Sequence, residues 1–250
     1  MPLLKSPGQL ERMRESGRIV AKTLRLVSER IAPGITPREL DAYADELIRA
    51  EGGVPSFLGY RGFPAATCIS VNEVVVHGIP NDVPLKEGDV IGLDFGVVKN
   101  GWHADGAWTF AVGEIDAESK RLLNVTREAL MQGIAKARVG NTLGDIGAAV
   151  QSYVERNGYN VVRDLVGHGI GEHLHDEPRN VPMYGKPGTG MKLRAGMTIC
   201  IEPMVNAGTW KVHQLEDEWT IVTADMKRSA HFEHTIAVTD GPAEILTREP

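Results

Sequence analysis

Four carboxylates lie in or beside apolar, strand-like runs, where a folded chain does not normally bury charge: Asp94, Asp105, Glu202 and Glu233. A buried carboxylate is costly unless it is paired or bound to a metal. No Lys or Arg stands close to the acids in these runs, so cations would have to compensate their charge. Oxygen donors with an imidazole suit divalent first-row metals, and several acids able to bridge indicate two ions. Two such ions can activate water and polarise a carbonyl, which predicts hydrolytic chemistry.

The stretch 165–178 brings glycines and histidines together and indicates a strand end that runs into a rigid loop presenting imidazoles. A single histidine beside glycines is weak evidence for a site, but the four acids strengthen it. His77 and either His168 or His175 are candidates to bind a substrate amide and a developing oxyanion. The alternative for His77 is a strand-end histidine bonded to the backbone. Surface or supporting roles are expected for the remaining histidines, which are His103, His173, His213, His231 and His234.

The elements that must position these residues occur twice along the chain. Helical periodicity and capping patterns predict four helices, at about 7–29, 36–50, 118–137 and 142–157. A loop is expected at 52–64. Apolar and alternating runs predict strands at 66–71, 74–77, 90–99 and 107–112, and then at 161–165, 197–205, 218–223 and 231–238.

Three sequence matches, in the same order in both halves, indicate an internal duplication. Residues 85–94 align with 193–202 without a gap, 76–79 align with 167–170, and Asp105 aligns with Glu233. Chance similarity between segments of like composition is the alternative, and the shared order argues against it. The sequence therefore predicts one catalytic domain, 1–250, with repeated halves at about 8–115 and 116–247. Two halves facing each other about a pseudo-twofold axis would bring the acids together.

Composition excludes several other classes of protein. The chain has 250 residues, of which 42% are hydrophobic, and a net charge of −6, so it shows no basic footprint for nucleic acid. Its two cysteines form no spacing motif, which fits a reducing compartment. No signal segment or membrane-length apolar run is present in the sequence, so we expect a cytoplasmic location. A Gly-x-Ser-x-Gly motif is lacking, and the glycine-rich run 185–192 is expected to be a surface turn.

Seven motifs along the chain together resemble one family. They are GYRGFP at 59–64, CISVNEVVVHGIP at 68–80, LDFG at 93–96, ADG at 104–106, GHGIG at 167–171, IEPMVNAG at 201–208 and FEHT at 232–235. The set resembles the bacterial type I methionine aminopeptidases over about 8–247. The resemblance implies an α+β pita-bread fold, in which an antiparallel sheet with a pseudo-twofold repeat is flanked by helices. It also implies removal of the initiator methionine when the next residue is small, with two divalent ions (Co, Mn, Fe or Zn).

The resemblance also assigns roles to individual residues. The implied metal ligands are Asp94, Asp105, His168, Glu202 and Glu233, with Asp105 and Glu233 bridging the ions. Glu202 would also accept the proton of the attacking water, while His77 would contact the scissile amide nitrogen and His175 the carbonyl oxygen. The methionine side chain would lie among Tyr60, Phe63, Cys68 and Trp219. Four departures from the family pattern leave details of the pocket open: Phe57, Gly106, Leu174 and Met183.

The implied partners are N-terminal methionyl peptides and nascent chains. Association with the ribosome is an open question that nascent chains as substrates raise. A monomer is expected, with no membrane and no nucleic acid partner. Two alternatives remain at this stage. One is hydrolysis of proline peptides by a relative of the same fold, and the other is a non-catalytic relative that binds a protein or peptide. Cleavage of Met-Ala-Ser against Ala-Pro, and the metal content, would separate the three.

Overall fold

The computed structural model describes residues 4–248, which form four α-helices, a short 3-10 helix (Tyr60–Gly62) and fifteen strands. The helices are α1 (Pro7–Ser28), α2 (Pro37–Ala50), α3 (Ala117–Ile134) and α4 (Leu143–Arg156). The strands of the first half are β1 (Val54–Pro55), β2 (Cys68–Val71), β3 (Val74–Val76), β4 (Val90–Lys99) and β5 (Trp102–Ala111). Those of the second half are β6 (Asn160–Val161), β7 (Gly167–Gly169), β8 (Asp176–Val181), β9 (Thr198–Ile201), β10 (Met204–Asn206), β11 (Val212–Gln214), β12 (Ile221–Thr223), β13 (Ser229–His231), β14 (His234–Ala237) and β15 (Glu244–Ile245).

The four predicted helices are confirmed, and capping side chains explain where α2 and α4 begin. The Glu39 N–H donates to the Thr36 hydroxyl at 3.2 Å, and the Thr36 N–H donates to the Glu39 carboxylate at 2.8 Å. The Thr142 N–H donates likewise to the Asp145 carboxylate at 2.8 Å. These bonds satisfy backbone donors at the start of each helix.

The strand predictions are partly confirmed. β4 has the predicted bounds, whereas β5 begins at Trp102, earlier than predicted. The predicted strands 197–205 and 231–238 are each interrupted, giving β9 with β10 and β13 with β14. The predicted strand 161–165 is reduced to β6, and β1, β8, β11 and β15 were not predicted. β1 lies inside the stretch expected to be a loop.

The acid-bearing strands pair in the same antiparallel pattern in both halves. β4 pairs with β5 along one edge and with β1 and β2 along the other. The interrupted strand β9–β10 pairs with β14 and β13 along one edge and with β7 and β6 along the other. Val97 pairs with β1 and Val205 with β6, and each valine stands three residues after an acid, Asp94 and Glu202 respectively.

The register of strand pairing shows which residue of the second half is equivalent to Asp105. Asp105 lies opposite Gly96, two residues after the acid of β4, and the residue opposite the equivalent Met204 is His231. Asp105 therefore corresponds to His231 across the repeat. The predicted match of Asp105 with Glu233 is wrong by two residues, because it requires a gap: TFAV at 109–112 and TIAV at 235–238 align without one when Asp105 lies opposite His231, in agreement with the strand pairing.

Two threonines join the halves symmetrically at the pseudo-twofold axis. The Thr109 hydroxyl donates to the His231 carbonyl at 2.8 Å and accepts from the His231 N–H at 2.9 Å. The Thr235 hydroxyl donates to the Asp105 carbonyl at 2.8 Å and accepts from the Asp105 N–H at 2.9 Å. The repeat thus extends to individual hydrogen bonds.

Each helix pair covers the sheet of its own half. Buried side chains of α1 and α2, such as Val20 and Leu40, share a core with Leu93 of β4, and those of α3 and α4, such as Leu130, share one with Ile201 of β9. The observed architecture is therefore α+β, as predicted. The single-domain organisation and the boundary between residues 115 and 116 stay predictions. Within residues 4–248, none of the helices has the length and apolar character that crossing a membrane would require.

Candidate metal centre and active site

A cavity of about 210 Å³ opens where the two halves meet. All eleven predicted site residues line it: Tyr60, Phe63, Cys68, His77, Asp94, Asp105, His168, His175, Glu202, Trp219 and Glu233. The chain brings them together from both halves, since they come from strands and loops far apart in sequence.

The four acids reach the cavity in two ways. Asp94 and Asp105 project from the continuous strands β4 and β5. Glu202 lies at the break between β9 and β10, and Glu233 at the break between β13 and β14. Pro203 has no N–H to donate to a ladder, which explains the first break.

The carboxylates are buried and incompletely satisfied. Within residues 4–248, one oxygen of each lacks a hydrogen-bond partner: Asp94 Oδ1, Asp105 Oδ1, Glu202 Oε1 and Glu233 Oε1. Burial, followed by the negative charge of neighbouring acids, raises the pKa of Asp94, Glu202 and Glu233 well above the usual range. Burial raises the pKa of Asp105 to about 7. Unsatisfied buried oxygens facing one another are what a cation would neutralise.

His168 adds a nitrogen donor in the correct tautomer for metal binding. Its Nδ1–H donates to the Gly169 carbonyl at 2.9 Å, so Nε2 carries the free lone pair. Nε2 lies 3.7 Å from Glu202 Oε1 and 4.0 Å from Asp105 Oδ2. Burial lowers the pKa of His168 to about 4, so the imidazole is neutral at pH 7. The oxygen donors and this nitrogen fit a divalent transition metal.

Ligand atoms in the cavity form two groups that share Glu233. One group joins Asp94 and Asp105 to Glu233, the other joins Glu202 and His231 to it, and the atoms of each group lie within 4.8 Å of one another. His168 and Cys200 form a third such group with Glu233. Burial raises the pKa of the Cys200 thiol, which leaves it protonated and a poor ligand.

One wall of the cavity is aromatic and carries the two remaining predicted histidines. The Tyr60 hydroxyl lies 2.8 Å from His175 Nδ1, and the His175 ring lies 4.1 Å, centroid to centroid, from that of His168. Trp219 packs edge-on against Phe63 at 5.1 Å. Burial lowers the pKa of His175 to about 3, so its imidazole is neutral and can exchange hydrogen bonds with a peptide.

His77 reaches the cavity from a strained turn. Its φ of 58° is unusual for a residue other than glycine, and such strain often accompanies function. A Cβ at Gly78 would lie 2.2 Å from the Ile69 carbonyl oxygen, so only glycine fits after it. The predicted match of His77 with His168 is wrong as a structural equivalence. His77 follows β3, which pairs with β12, whereas His168 lies in β7 beside β9.

Of the four departures, Phe57 and Leu174 line the cavity and Met183 does not, since it is fully buried in the core of the second half. A Cβ at Gly106 would meet Val20 Cγ1 at 3.1 Å.

Sequence reasoning missed His231, which was expected at the surface or in a supporting role. Its side chain is only 5% exposed and lines the cavity, and the available signal was its place two residues before Glu233.

A cavity that gathers buried carboxylates and an imidazole between two pseudo-symmetric α+β halves defines a metal-dependent peptidase. The model of metallopeptidase family M24 matches residues 11–240, and the chain belongs to that family. Relatives named methionine aminopeptidase from Clostridium perfringens and methionine aminopeptidase 1 from Bacillus subtilis are 51% and 50% identical, covering 99% of this chain and 99% and 100% of theirs.

Solved structures agree with this family. The methionine aminopeptidase of Thermotoga maritima superposes with a TM-score of 0.98 at 47% identity, with all of both chains covered. A prolidase from Pyrococcus furiosus has a TM-score of 0.80 at 22% identity, and this chain covers 66% of it. The second likeness shows the shared pita-bread fold alone.

Proposed function

We propose that this chain is a metal-dependent aminopeptidase that removes N-terminal methionine, with a small second residue in the substrate. The observation that carries the proposal is the cluster of four buried carboxylates with unsatisfied oxygens beside an aromatic pocket. The relatives named methionine aminopeptidase, which match the whole chain, support the same activity.

We propose Asp94, Asp105, His168, Glu202 and Glu233 as the ligands of two divalent ions. Ions held there would lower the pKa of water and polarise the carbonyl of the first peptide bond. Glu202 would accept the water proton. His175, held by the Tyr60 hydroxyl, would bind the carbonyl oxygen, and His77 the amide nitrogen. These hydrogen bonds stabilise charge that develops only in the transition state.

The methionine side chain would occupy the pocket of Tyr60, Phe63, Cys68 and Trp219. Aromatic walls favour a thioether, because sulfur makes favourable contacts with ring edges. Phe63 and Trp219 meet edge to face, and Cys68, which also lines the cavity, is buried with a thiol whose pKa burial raises. The thiol is thus a packing surface rather than a nucleophile. Nascent chains as substrates, ribosome association, a monomeric state and a cytoplasmic location stay predictions.

The test is cleavage of Met-Ala-Ser by purified protein treated with chelator and then resupplied with Mn²⁺ or Co²⁺. We expect activity only after metal is returned, little cleavage of Ala-Pro, and a large loss of turnover in Glu202→Gln. Glu216→Gln, a matched change of an exposed acid, should behave like the wild type. No cleavage of Met-Ala-Ser under any metal would refute the proposal, and wild-type turnover in Glu202→Gln would remove that residue's role.

A further inference from the structure

His231 is a buried imidazole in the cavity to which none of the proposed roles applies. Its Nε2 has no hydrogen-bond partner within residues 4–248 and lies 3.7 Å from Glu202 Oε2. The Nε2 of His168 lies at the same 3.7 Å from the other oxygen, Glu202 Oε1. One carboxylate is therefore flanked by an imidazole nitrogen at each oxygen, and only one of these two imidazoles belongs to the proposed ligand set.

The pseudo-twofold axis relates His231 to a proposed ligand. By strand register, His231 corresponds to Asp105, and the hydroxyls of Thr109 and Thr235 hold the two backbones by matching pairs of hydrogen bonds. Equivalent backbone positions direct their side chains to equivalent sides of the axis. The two ligand groups of the cavity follow the same symmetry: Asp94 with Asp105 in one, Glu202 with His231 in the other.

We propose that His231 is a further metal ligand, which binds through Nε2 in the site that Glu202 and Glu233 form. This inference rests on the proposed metal-dependent function. A second nitrogen donor changes the metal preference of that site, because imidazole favours Zn²⁺ and Co²⁺ whereas carboxylate oxygens suit Mn²⁺. If His231 instead only donated a hydrogen bond to Glu202, its removal would weaken all three ions to a similar degree.

Metal affinities measured by chelator competition separate these roles. His231→Gln should weaken binding of Zn²⁺ and Co²⁺ by about tenfold or more and that of Mn²⁺ distinctly less. His231→Asp, which places at this position the residue type of its symmetry mate, should retain Mn²⁺ affinity. His234→Gln is the matched control, since the His234 ring bonds Thr247 at 2.9 Å and does not line the cavity. Uniform weakening, or none, would overturn the inference.

A measurement on the unaltered protein covers the case in which the variants fail to fold. In the Co²⁺-loaded wild type, each coordinated imidazole gives one hyperfine-shifted, solvent-exchangeable N–H proton resonance in the NMR spectrum. Two such resonances are expected, from His168 and His231, and one alone would refute ligation by His231. A wild type that binds no divalent ion would instead defeat the proposed function, so the two failures are distinguishable.

Discussion

Removal of the metal ions should make the folded chain lose stability as the pH rises. A carboxyl whose pKa is higher in the folded than in the unfolded state keeps a proton that the unfolded chain releases, so rising pH favours unfolding. For Asp105 the pKa rises from 3.8 to about 7. That difference corresponds to about 4 kcal/mol of unfolding free energy, lost as the pH rises from about 4 to about 7. The pKa values of Asp94, Glu202 and Glu233, also raised, add in the same direction.

Buried histidines act in the opposite direction and set the pH range of the test. Burial lowers the pKa of His168 to about 4 and those of His175 and His231 to about 3. Their contribution is complete above the unfolded pKa of 6.5 and is lost as the pH falls below it. Between roughly pH 7.5 and 8.5 the histidines are nearly all neutral in both states. There, each carboxyl still protonated in the folded state should lower the unfolding free energy by about 1.4 kcal/mol per pH unit.

Urea unfolding in chelator and in saturating Mn²⁺ measures this slope. In chelator the free energy of unfolding should fall from about pH 7.5 to about pH 8.5, and in Mn²⁺ it should stay nearly level, because the bound ions neutralise the carboxylates. Asp105→Asn should make the slope in chelator shallower, since it removes one titrating group and the repulsion on its neighbours. A stability in chelator that is flat or increases with pH would refute the reasoning.

Two further predictions concern the walls of the cavity. Tyr60→Phe removes the hydroxyl that contacts His175 and should reduce kcat/KM for Met-Ala-Ser about two- to tenfold at unchanged metal content, and an unchanged kcat/KM would contradict the contact's role. Gly167→Ala should destabilise the protein by about 1–3 kcal/mol in thermal unfolding, because the new Cβ would lie 2.4 Å from the Cys200 carbonyl oxygen. The control is Gly8→Ala, at a position in α1 where a Cβ meets open space, and it should stabilise the protein by about 0.5–1 kcal/mol. Equal effects of the two substitutions would show that the close contact between Gly167 and Cys200 is unimportant.

The helices could be predicted from the sequence because their signals are local. Thr36 with Glu39 and Thr142 with Asp145 lie three residues apart, and the bonds that start each helix form between these same residues. The eleven candidate site residues were named from the sequence too. Residue types and spacing pointed to the four acids and to His77, His168 and His175, whereas only the family resemblance pointed to the four residues of the aromatic pocket. Their convergence on one cavity depended on the duplication, and of the three sequence matches that indicated it, strand pairing confirms that of 85–94 with 193–202.

The predicted match of Asp105 with Glu233 skipped two residues of the sequence. Thr109-Phe-Ala-Val and Thr235-Ile-Ala-Val align without a gap only when Asp105 lies opposite His231, and strand pairing confirms this register. The register of β10 on β13 depends on hydrogen bonds between Met204–Asn206 and Ser229–His231, with β11 and β12 between them in the chain, so no local pattern alone encodes it. His231 was therefore placed among histidines of minor roles. His231 is buried because its backbone lies near the pseudo-twofold axis, where the two halves meet, and its neighbours in sequence do not indicate this.

The broken symmetry of the repeat explains why one acid is common to both ligand groups. In the first half β4 and β5 are continuous, and the register position of Glu233 is taken by Ala107, which has no ligand atom. The Glu233 N–H donates to the Ala107 carbonyl at 2.8 Å, so these equivalent residues meet at the pseudo-twofold axis. A side chain at the axis is equally near the groups on either side. The second half thus carries a ligand atom at this position where the first half carries none, and Glu233 is the member that both groups contain.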